Sequence, residues 1–238
     1  MGGIFDKYRT LHELLFRDTV QAVVDWQRGV MGEEEFRAFI RWRDGLCRLD
    51  MDASSFNCYY VDVLAEEFED AKFIFAIRDC FSWFDSMLGM ALAMHEETPP
   101  WMLEYFRRFL GPGFELELTE HPDELHMRLP GMVDAGMRYW STVNQFMLHA
   151  LPAPRSLVVR THELSHSLPR LAAFVGIPPE TLVPKLMHLN EARTTHRLLR
   201  AVDPAFLSDV VEEHGTELMR EFFPKVTLAG FLGGARPA

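Results

Sequence analysis

The 238 residues are 48% hydrophobic and 25% charged, which suits a folded globular protein and excludes a mainly disordered one. The 24 basic and 35 acidic residues give a net charge of −11, so we expect no nucleic-acid partner, although a single cleft could still be cationic. The length suits one domain over residues 1–238.

The sequence also bounds the cellular setting. The longest apolar run near the middle, Phe73–Ile77, is far too short to span a membrane, and the first residues show no signal-peptide pattern. The cysteines, Cys47, Cys58 and Cys80, form no closely spaced pair, and their odd number argues against a disulfide framework. We therefore expect a cytoplasmic protein without membrane association.

Predicted elements alternate between helices and short apolar strands. The clearest strand, Lys72–Ile77, is almost continuously apolar, which is typical of a strand buried on both faces of a parallel sheet. Shorter strands are predicted at 46–51 and 156–160. This alternation predicts an α/β fold in which helices flank a parallel sheet. Helical spacing predicts helices at about 5–28, 33–46, 54–68, 80–94, 101–110, 131–151, 168–175, 179–188 and 204–222.

Four segments occur in an order found in one enzyme family. They are Leu64–Asp79 continuing into Ser82–Ser86, Tyr139–Trp140 with Leu157–Leu164, Leu168–Pro178, and Glu217–Pro224. Together, over about residues 46–224, they resemble the sulfotransferases that use 3′-phosphoadenosine-5′-phosphosulfate (PAPS). The resemblance implies a sulfotransferase-like three-layer fold of the P-loop NTPase type. It also implies PAPS as co-substrate, no metal, and a small molecule whose hydroxyl accepts the sulfuryl group.

Arg78 and Ser86 form the candidate nucleotide site. Arg78 follows the buried strand at 72–77 and Ser86 lies in the next helix, at the edge of the sheet where open α/β folds bind ligands. A helix N-terminus and a guanidinium both favour a phosphate there. In the family, an arginine and a serine at this spacing hold the 3′-phosphate of the nucleotide. The alternative is an arginine that only pairs with Asp79 or Asp85.

One element of the family is not found in the sequence: a strand, a glycine-rich loop of the type GxxRSGTT, and a helix that together cradle the 5′-phosphosulfate. Gly29–Gly32 follows no predicted strand, and 230–236 is predicted to be a mobile tail. Two explanations stay open. Either the sequence starts downstream of this N-terminal βα unit, or the protein has lost the donor site and has a binding or assembly role.

Loss of that unit would also affect the sheet, because the missing strand is central in the family. Its neighbours would have uncovered edges, so formation of a homo-oligomer stays open. Val226–Leu228 could instead fill the space. We expect the three predicted strands to be parallel in one sheet. Asp52, Arg78 and Arg160 would then gather at its carboxyl edge, although Arg160 could simply pair with Glu163.

Asp52 is the candidate catalytic base, because sulfuryl transfer requires a group that takes the proton of the acceptor hydroxyl. It follows the first predicted strand, where family members often have a carboxylate or a histidine. The alternative, at least as good on sequence grounds, is that Asp52 caps the following helix.

Two further patterns have structural explanations. His162–His166 matches the zinc-protease motif H-E-x-x-H, which requires both histidines on one helical face. Since Pro169 places the start of the next helix near Ser167, we expect no zinc site here. The aromatic and methionine side chains of 81–94 and 101–106 are expected to be mainly core, with an apolar acceptor pocket as the alternative.

Overall fold

The computed structural model describes residues 2–93, 122–184 and 198–233, together with Phe109. The chain divides into two units. The first combines residues 1–77 with 146–191, and the second combines 78–145 with 192–238. The single sulfotransferase-like domain over 1–238 therefore stays a prediction, and the units are treated separately.

Four short strands lie in the first unit: β1 (Thr10–His12), β2 (Met51–Ala53), β3 (Phe73–Ile77) and β4 (Ser156–Arg160). β1 pairs with β2 and β3 pairs with β4, both in parallel. The prediction of an α/β protein with parallel strands is confirmed. The prediction that three strands share one sheet is wrong for the described residues, because β2 pairs with β1 and not with β3.

The described residues also contain nine α-helices, which make up more than half of the described part of the chain. Predicted helix positions are confirmed over much of the sequence. The predicted helix at 101–110 lies outside the described residues apart from Phe109. The predicted helix at 179–188 is described only as far as residue 184, and there the chain forms a 3₁₀ turn, Pro179–Thr181, instead of an α-helix. The helices are α1 (Phe16–Gln27), α2 (Glu33–Cys47), α3 (Val61–Glu67), α4 (Cys80–Ala93), α5 (Pro122–Ala150), α6 (Leu168–Val175), α7 (Pro204–His214), α8 (Thr216–Phe222) and α9 (Leu228–Gly233).

The start of the chain departs from the predicted helix at 5–28. A 3₁₀ turn precedes β1, and α1 begins only at Phe16 because Leu15 has a left-handed backbone, φ 48°. Pairing with β2 overrides the helical spacing. The predicted strand at 46–51 is displaced for a similar reason. Helix α2 continues to Cys47 and ends at Arg48, φ 45°, so the extended residues are 51–53.

An apolar core in the first unit connects both strand pairs. Leu157 and Val159 of β4 are buried with Leu171 of α6. Met51 of β2 and Ile74 of β3 pack against the same cluster. Burial of each such large apolar side chain stabilises the fold by about 1.5–3 kcal/mol, which holds the two short strand pairs over one core.

Helices α2 and α3 are joined by a cluster of ion pairs. Arg37 contacts Glu33, Glu66 and Glu67 at 2.8, 2.6 and 3.0 Å, and Arg41 contacts Glu67 at 2.5 Å. Hydrogen bonds from Arg41 and Arg37 lower the pKa of the Glu67 carboxyl.

Glu67→Gln is expected to lower the melting temperature at neutral pH and to have little effect in acid. A depressed folded-state pKa gives a stabilisation that is present above the unfolded value, about 4.3, and lost as the pH falls through the folded value. Melting curves of wild type and variant at pH 7 and in stepwise acidification measure this. Glu69→Gln, an exposed position outside the cluster, is the control. An undiminished difference at low pH would contradict the argument.

In the second unit, α4 and α5 approach closely at a glycine. A Cβ placed on Gly136 would overlap Cε2 of Phe84, a side chain that is fully buried. Because a buried ring cannot move aside without disturbing its neighbours, only glycine fits here.

Gly136→Ala is therefore expected to destabilise the protein by about 1–3 kcal/mol, through overpacking. Gly45→Ala is the matched control, since Gly45 is also inside a helix but its Cβ would meet no atom within 4 Å. That substitution should stabilise by about 0.5–1 kcal/mol. Chemical denaturation measures both, and equal effects of the same sign would rule out the close contact.

The C-terminal region corrects two sequence predictions. The helix at 204–222 is interrupted at Gly215, which separates α7 from α8. The expected mobile tail is helical over Leu228–Gly233, and Phe231 stacks on Phe81 with ring centroids 5.5 Å apart. Since Leu228 begins a helix, Val226–Leu228 does not provide a substitute strand. Among the described helices, none combines the length and hydrophobicity needed to cross a membrane.

Candidate functional site

The turn between β3 and α4 holds the first predicted site residue. Ile77 ends β3, and only Arg78 and Asp79 separate it from the first residue of α4. Asp79 caps the helix, because its Oδ1 accepts a hydrogen bond of 2.9 Å from the backbone N–H of Ser82. The Trp140 indole donates to the carbonyl of Arg78 at 3.0 Å. Both contacts fix the backbone at the carboxyl end of the strand.

The Arg78 side chain is directed along the start of α4. Its Nε donates to the Ser82 hydroxyl at 2.8 Å, and that hydroxyl donates to the other oxygen of Asp79. Arg78 is therefore coupled to Asp79 through Ser82. Asp85, the other partner considered from the sequence, accepts from the backbone N–H of Leu199 at 3.4 Å.

Ser86 lies one helical turn beyond Ser82 on the same face of α4. It is half-buried, and no hydrogen bond to its hydroxyl is found among the described residues. Cys80, at the start of the helix, is a different case. Burial raises the pKa of its thiol, and the charge of Asp79 adds to the effect, so the thiol stays protonated.

Asp52, the predicted base, lies in β2 and forms a largely buried ion pair. Its Oδ2 accepts from Nη1 of Arg43 at 2.8 Å and from the Asn57 amide at 3.2 Å. The Arg43 side chain is only 4% exposed, against 26% for Asp52. Within the described residues, Asp52 Oδ1 and Arg43 Nη2 are buried and have no hydrogen-bond partner.

Tyr60 orients the asparagine that hydrogen-bonds to this ion pair. The Tyr60 hydroxyl donates to the amide oxygen of Asn57 at 2.8 Å, which aims the amide nitrogen at Asp52. Burial raises the pKa of the Tyr60 phenol, so it remains a donor. The alternative role of Asp52 as a helix cap is wrong, because Ser54 accepts the N–H of Phe56 at the start of the following 3₁₀ turn.

The structure tests the expected meeting of strand ends only in part. Ile77 and Arg160 are register partners, so β3 and β4 end at the same edge and Arg78 is the next residue. Asp52 belongs to the separate β1–β2 pair. Arg160 forms a bidentate pair with Glu163, at 2.8 and 2.5 Å, as its structural interpretation predicts.

The H-E-x-x-H pattern does not form a zinc-protease helix. His162 and His166 lie in a 3₁₀ segment, Thr161–His166, and α6 begins only at Leu168. Glu163, which would be the base, is occupied by Arg160. The expectation that the two histidines do not share an α-helical face is confirmed.

A family model for the sulfotransferase domain matches residues 13–194. The chain belongs to the sulfotransferase family. The match spans Asp52, Arg78 and Ser86. No curated protein and no solved structure matches the chain. The resemblance drawn from four segments of the sequence is thus confirmed, and the match begins further upstream than residue 46.

In this family member the aromatic and methionine stretch is mainly core where it is described. Phe81, Phe84 and Met87 are buried, and Trp83 is half-buried with its ring stacked on Tyr139 at 5.8 Å. The remainder, including 101–106, lies outside the described residues. An apolar acceptor pocket at this stretch stays a prediction.

Sequence reasoning did not find Arg43, the partner of Asp52. A signal was present, because the buried residues of α2 are Phe36, Ile40 and Arg43, at intervals of four and three. An arginine that continues the apolar face of a helix must find a buried acceptor.

Sequence reasoning also did not find His12, the last residue of β1. Its Nδ1 lies 3.0 Å from the carbonyl oxygen of Ala53. A carbonyl can only accept, so Nδ1 carries a proton, and in the neutral ring the lone pair is then on Nε2. His12 is exposed, and it is a second candidate base.

Proposed function

We propose that this family member transfers a sulfuryl group from PAPS to the hydroxyl of a small acceptor molecule. The observation that carries the proposal is the turn after β3, where Arg78 is held against the start of a helix by Ser82 and Asp79. Such a turn offers a guanidinium and helix N–H groups to one anion. The three-layer P-loop-type arrangement and a cytoplasmic setting belong to the same proposal; all three cysteines are free thiols.

In this proposal Arg78 and Ser86 hold the 3′-phosphate of the nucleotide. Arg78 supplies charge-assisted hydrogen bonds to phosphate oxygens, and the Ser86 hydroxyl donates one more from the same face of α4. Ser82 and Asp79 act as positioning residues, since they fix the orientation of the guanidinium. The donor is a co-substrate, and we propose no metal in this reaction.

The reaction needs a base at the acceptor. The acceptor oxygen attacks sulfur in line, the bond from sulfur to the bridging phosphate oxygen breaks, and the hydroxyl proton passes to the base. The products are a sulfate ester and 3′-phosphoadenosine-5′-phosphate (PAP). We propose Asp52 as the base through Oδ1, which has no partner among the described residues but is closed off from solvent. His12, an exposed residue, is the alternative.

One observation favours a second function, that of a non-catalytic relative with a binding or assembly role. β1 is followed by a turn and a helix, as in the family's donor loop, but the turn contains no glycine. Glu13 and Leu15 have positive φ angles of 56° and 48° there, and Ser55 donates to the Glu13 carboxylate at 2.7 Å. A carboxylate at this turn repels a phosphosulfate.

An assay with sulfur-labelled PAPS and a panel of alcohols and phenols separates the two functions. Transfer of label to any acceptor, together with calorimetric binding of PAP, supports the enzyme. Binding of PAP without transfer supports the non-catalytic relative. If PAP does not bind and no label is transferred, the proposed nucleotide site is wrong. Once an acceptor is identified, the two candidate bases can be compared. Loss of the general base should reduce kcat by about 10²–10⁴-fold, and we expect this reduction in one of the two variants Asp52→Asn and His12→Gln but not in both.

A further inference from the structure

A cluster of metal-ligating side chains lies in the second unit, away from every residue assigned to the reaction. Asp134 is on α5, and Glu213 and His214 are the last two residues of α7. One ligand atom of each lies within 4.8 Å of the ligand atoms of the other two. Zinc bonds to nitrogen and oxygen at about 2.0–2.2 Å, so two ligand atoms of one ion lie at most about 4.4 Å apart, which is close to the separation found here.

His214 is already oriented for this role. Its side chain is only 14% exposed, and Nε2 lies 2.9 Å from Oδ1 of Asp134. Because a carboxylate accepts, Nε2 carries the proton in this hydrogen bond. A cation takes the place of that proton, which in the neutral ring moves to Nδ1. Nε2 and Oδ1, now partners of each other, then both become ligands of the ion.

The surroundings of the cluster favour a cation. The carboxyl end of α7, where Glu213 and His214 lie, carries the negative end of the helix dipole. Arg138 is the opposing charge. It lies 3.6 Å from the other oxygen of Asp134, Oδ2, and its side chain is 48% exposed, so solvent screens it. This contact holds Oδ2 and leaves Oδ1 directed at His214. Asp134 is 38% exposed and Glu213 is exposed, which gives an ion access from solvent.

We propose that Asp134, Glu213 and His214 bind a divalent transition-metal ion, with Zn²⁺ as the best match. One imidazole and two carboxylates suit zinc and its neighbours, whereas Mg²⁺ and Ca²⁺ prefer oxygen ligands throughout. The ion joins α5 to the end of α7 within the second unit. It takes no part in the sulfuryl transfer, and the site does not depend on that activity.

Calorimetric titration of the full chain with Zn²⁺ alone tests the site. Wild type should bind one ion that both His214→Gln and Glu213→Gln weaken by about tenfold or more. Co²⁺ should give a visible absorption band that His214→Gln abolishes. His162→Gln is the matched control, because it removes an exposed histidine of the H-E-x-x-H motif and should change neither result.

The outcomes are separable. Absence of Zn²⁺ binding to wild type, or equal binding by wild type and both variants, overturns the proposal. Loss of binding in His162→Gln alone also overturns it, because the ion then sits at the other motif. Should His214→Gln fail to fold, Glu213→Gln still decides, since an exposed side chain tolerates the change.

Discussion

Arg78→Ala is expected to weaken binding of PAP by about 30- to 5,000-fold, equivalent to about 2–5 kcal/mol. The substitution removes the guanidinium that, in the proposed complex, is desolvated against the 3′-phosphate. The Arg78 side chain donates to Ser82 at 2.8 Å, so it is already partly ordered in the free protein and loses less conformational entropy when the ligand binds. Isothermal calorimetry with PAP measures the change directly.

Three variants make the result specific. Arg78→Lys keeps the charge but loses the bidentate geometry, and its affinity should fall between wild type and Arg78→Ala. Ser82→Ala removes only the positioning contact and should have a smaller effect. Arg170→Ala, an exposed arginine at the start of α6, controls for net charge. Equal affinity of wild type and Arg78→Ala would remove the arginine from the nucleotide site.

The parts of the fold that could be predicted are those with a strong local signal. Both β3 and β4 are runs of five residues, all five of them apolar in β3 and three in β4, and their positions match the prediction closely. Helix α6 matches residue for residue, because Pro169 lies at its start and Gly176 ends it with a left-handed φ of 88°.

β1 could not be predicted in the same way. It has three residues, two of them exposed, and exists because it pairs with β2 some forty residues later. A pairing so short leaves no periodicity in the sequence. The exposed ion pair of Arg9 with Asp50, at 2.7 Å, lies beside this pairing and gave no pattern either.

In the candidate site, too, residues with a local sequence signal could be predicted and those that depend on distant partners could not. Arg78 could be placed from the sequence because a strand end and a helix start surround it. The environment of Asp52 could not, since its partners Arg43, Asn57 and Tyr60 come from different elements. Whether a carboxylate is a base or half of a buried ion pair depends on tertiary neighbours, which one position in a sequence does not reveal.

Arg43→Met is expected to destabilise the protein by about 3–5 kcal/mol. It removes the counter-charge of Asp52 and the donor to the carbonyl of Leu14, which Nε of Arg43 contacts at 3.3 Å. Among the described residues, the largely buried Asp52 carboxylate then has only the Asn57 amide as a hydrogen-bond donor. Urea unfolding followed by circular dichroism and tryptophan fluorescence measures the loss.

The chain offers a matched control in the ion pair of Arg9 and Asp50. Its separation, 2.7 Å, is close to the 2.8 Å of Arg43 and Asp52, but its side chains are 63% and 42% exposed. Arg9→Met should therefore cost much less stability than Arg43→Met, because solvent screens an exposed pair. If the two arginine variants lose the same stability, burial does not strengthen the role of Arg43.

The double variant Arg43→Met with Asp52→Leu completes the argument. Replacing both charges leaves no uncompensated buried ion, so the double variant should lose clearly less stability than the sum of the two single losses.

This double-mutant cycle also decides whether Asp52 has a structural or a catalytic role. If Asp52→Asn keeps most of kcat while the cycle shows strong coupling to Arg43, the carboxylate is structural and the proton passes to His12. If Asp52→Asn folds and loses kcat with coupling intact, the ion pair positions a base whose second oxygen faces the acceptor.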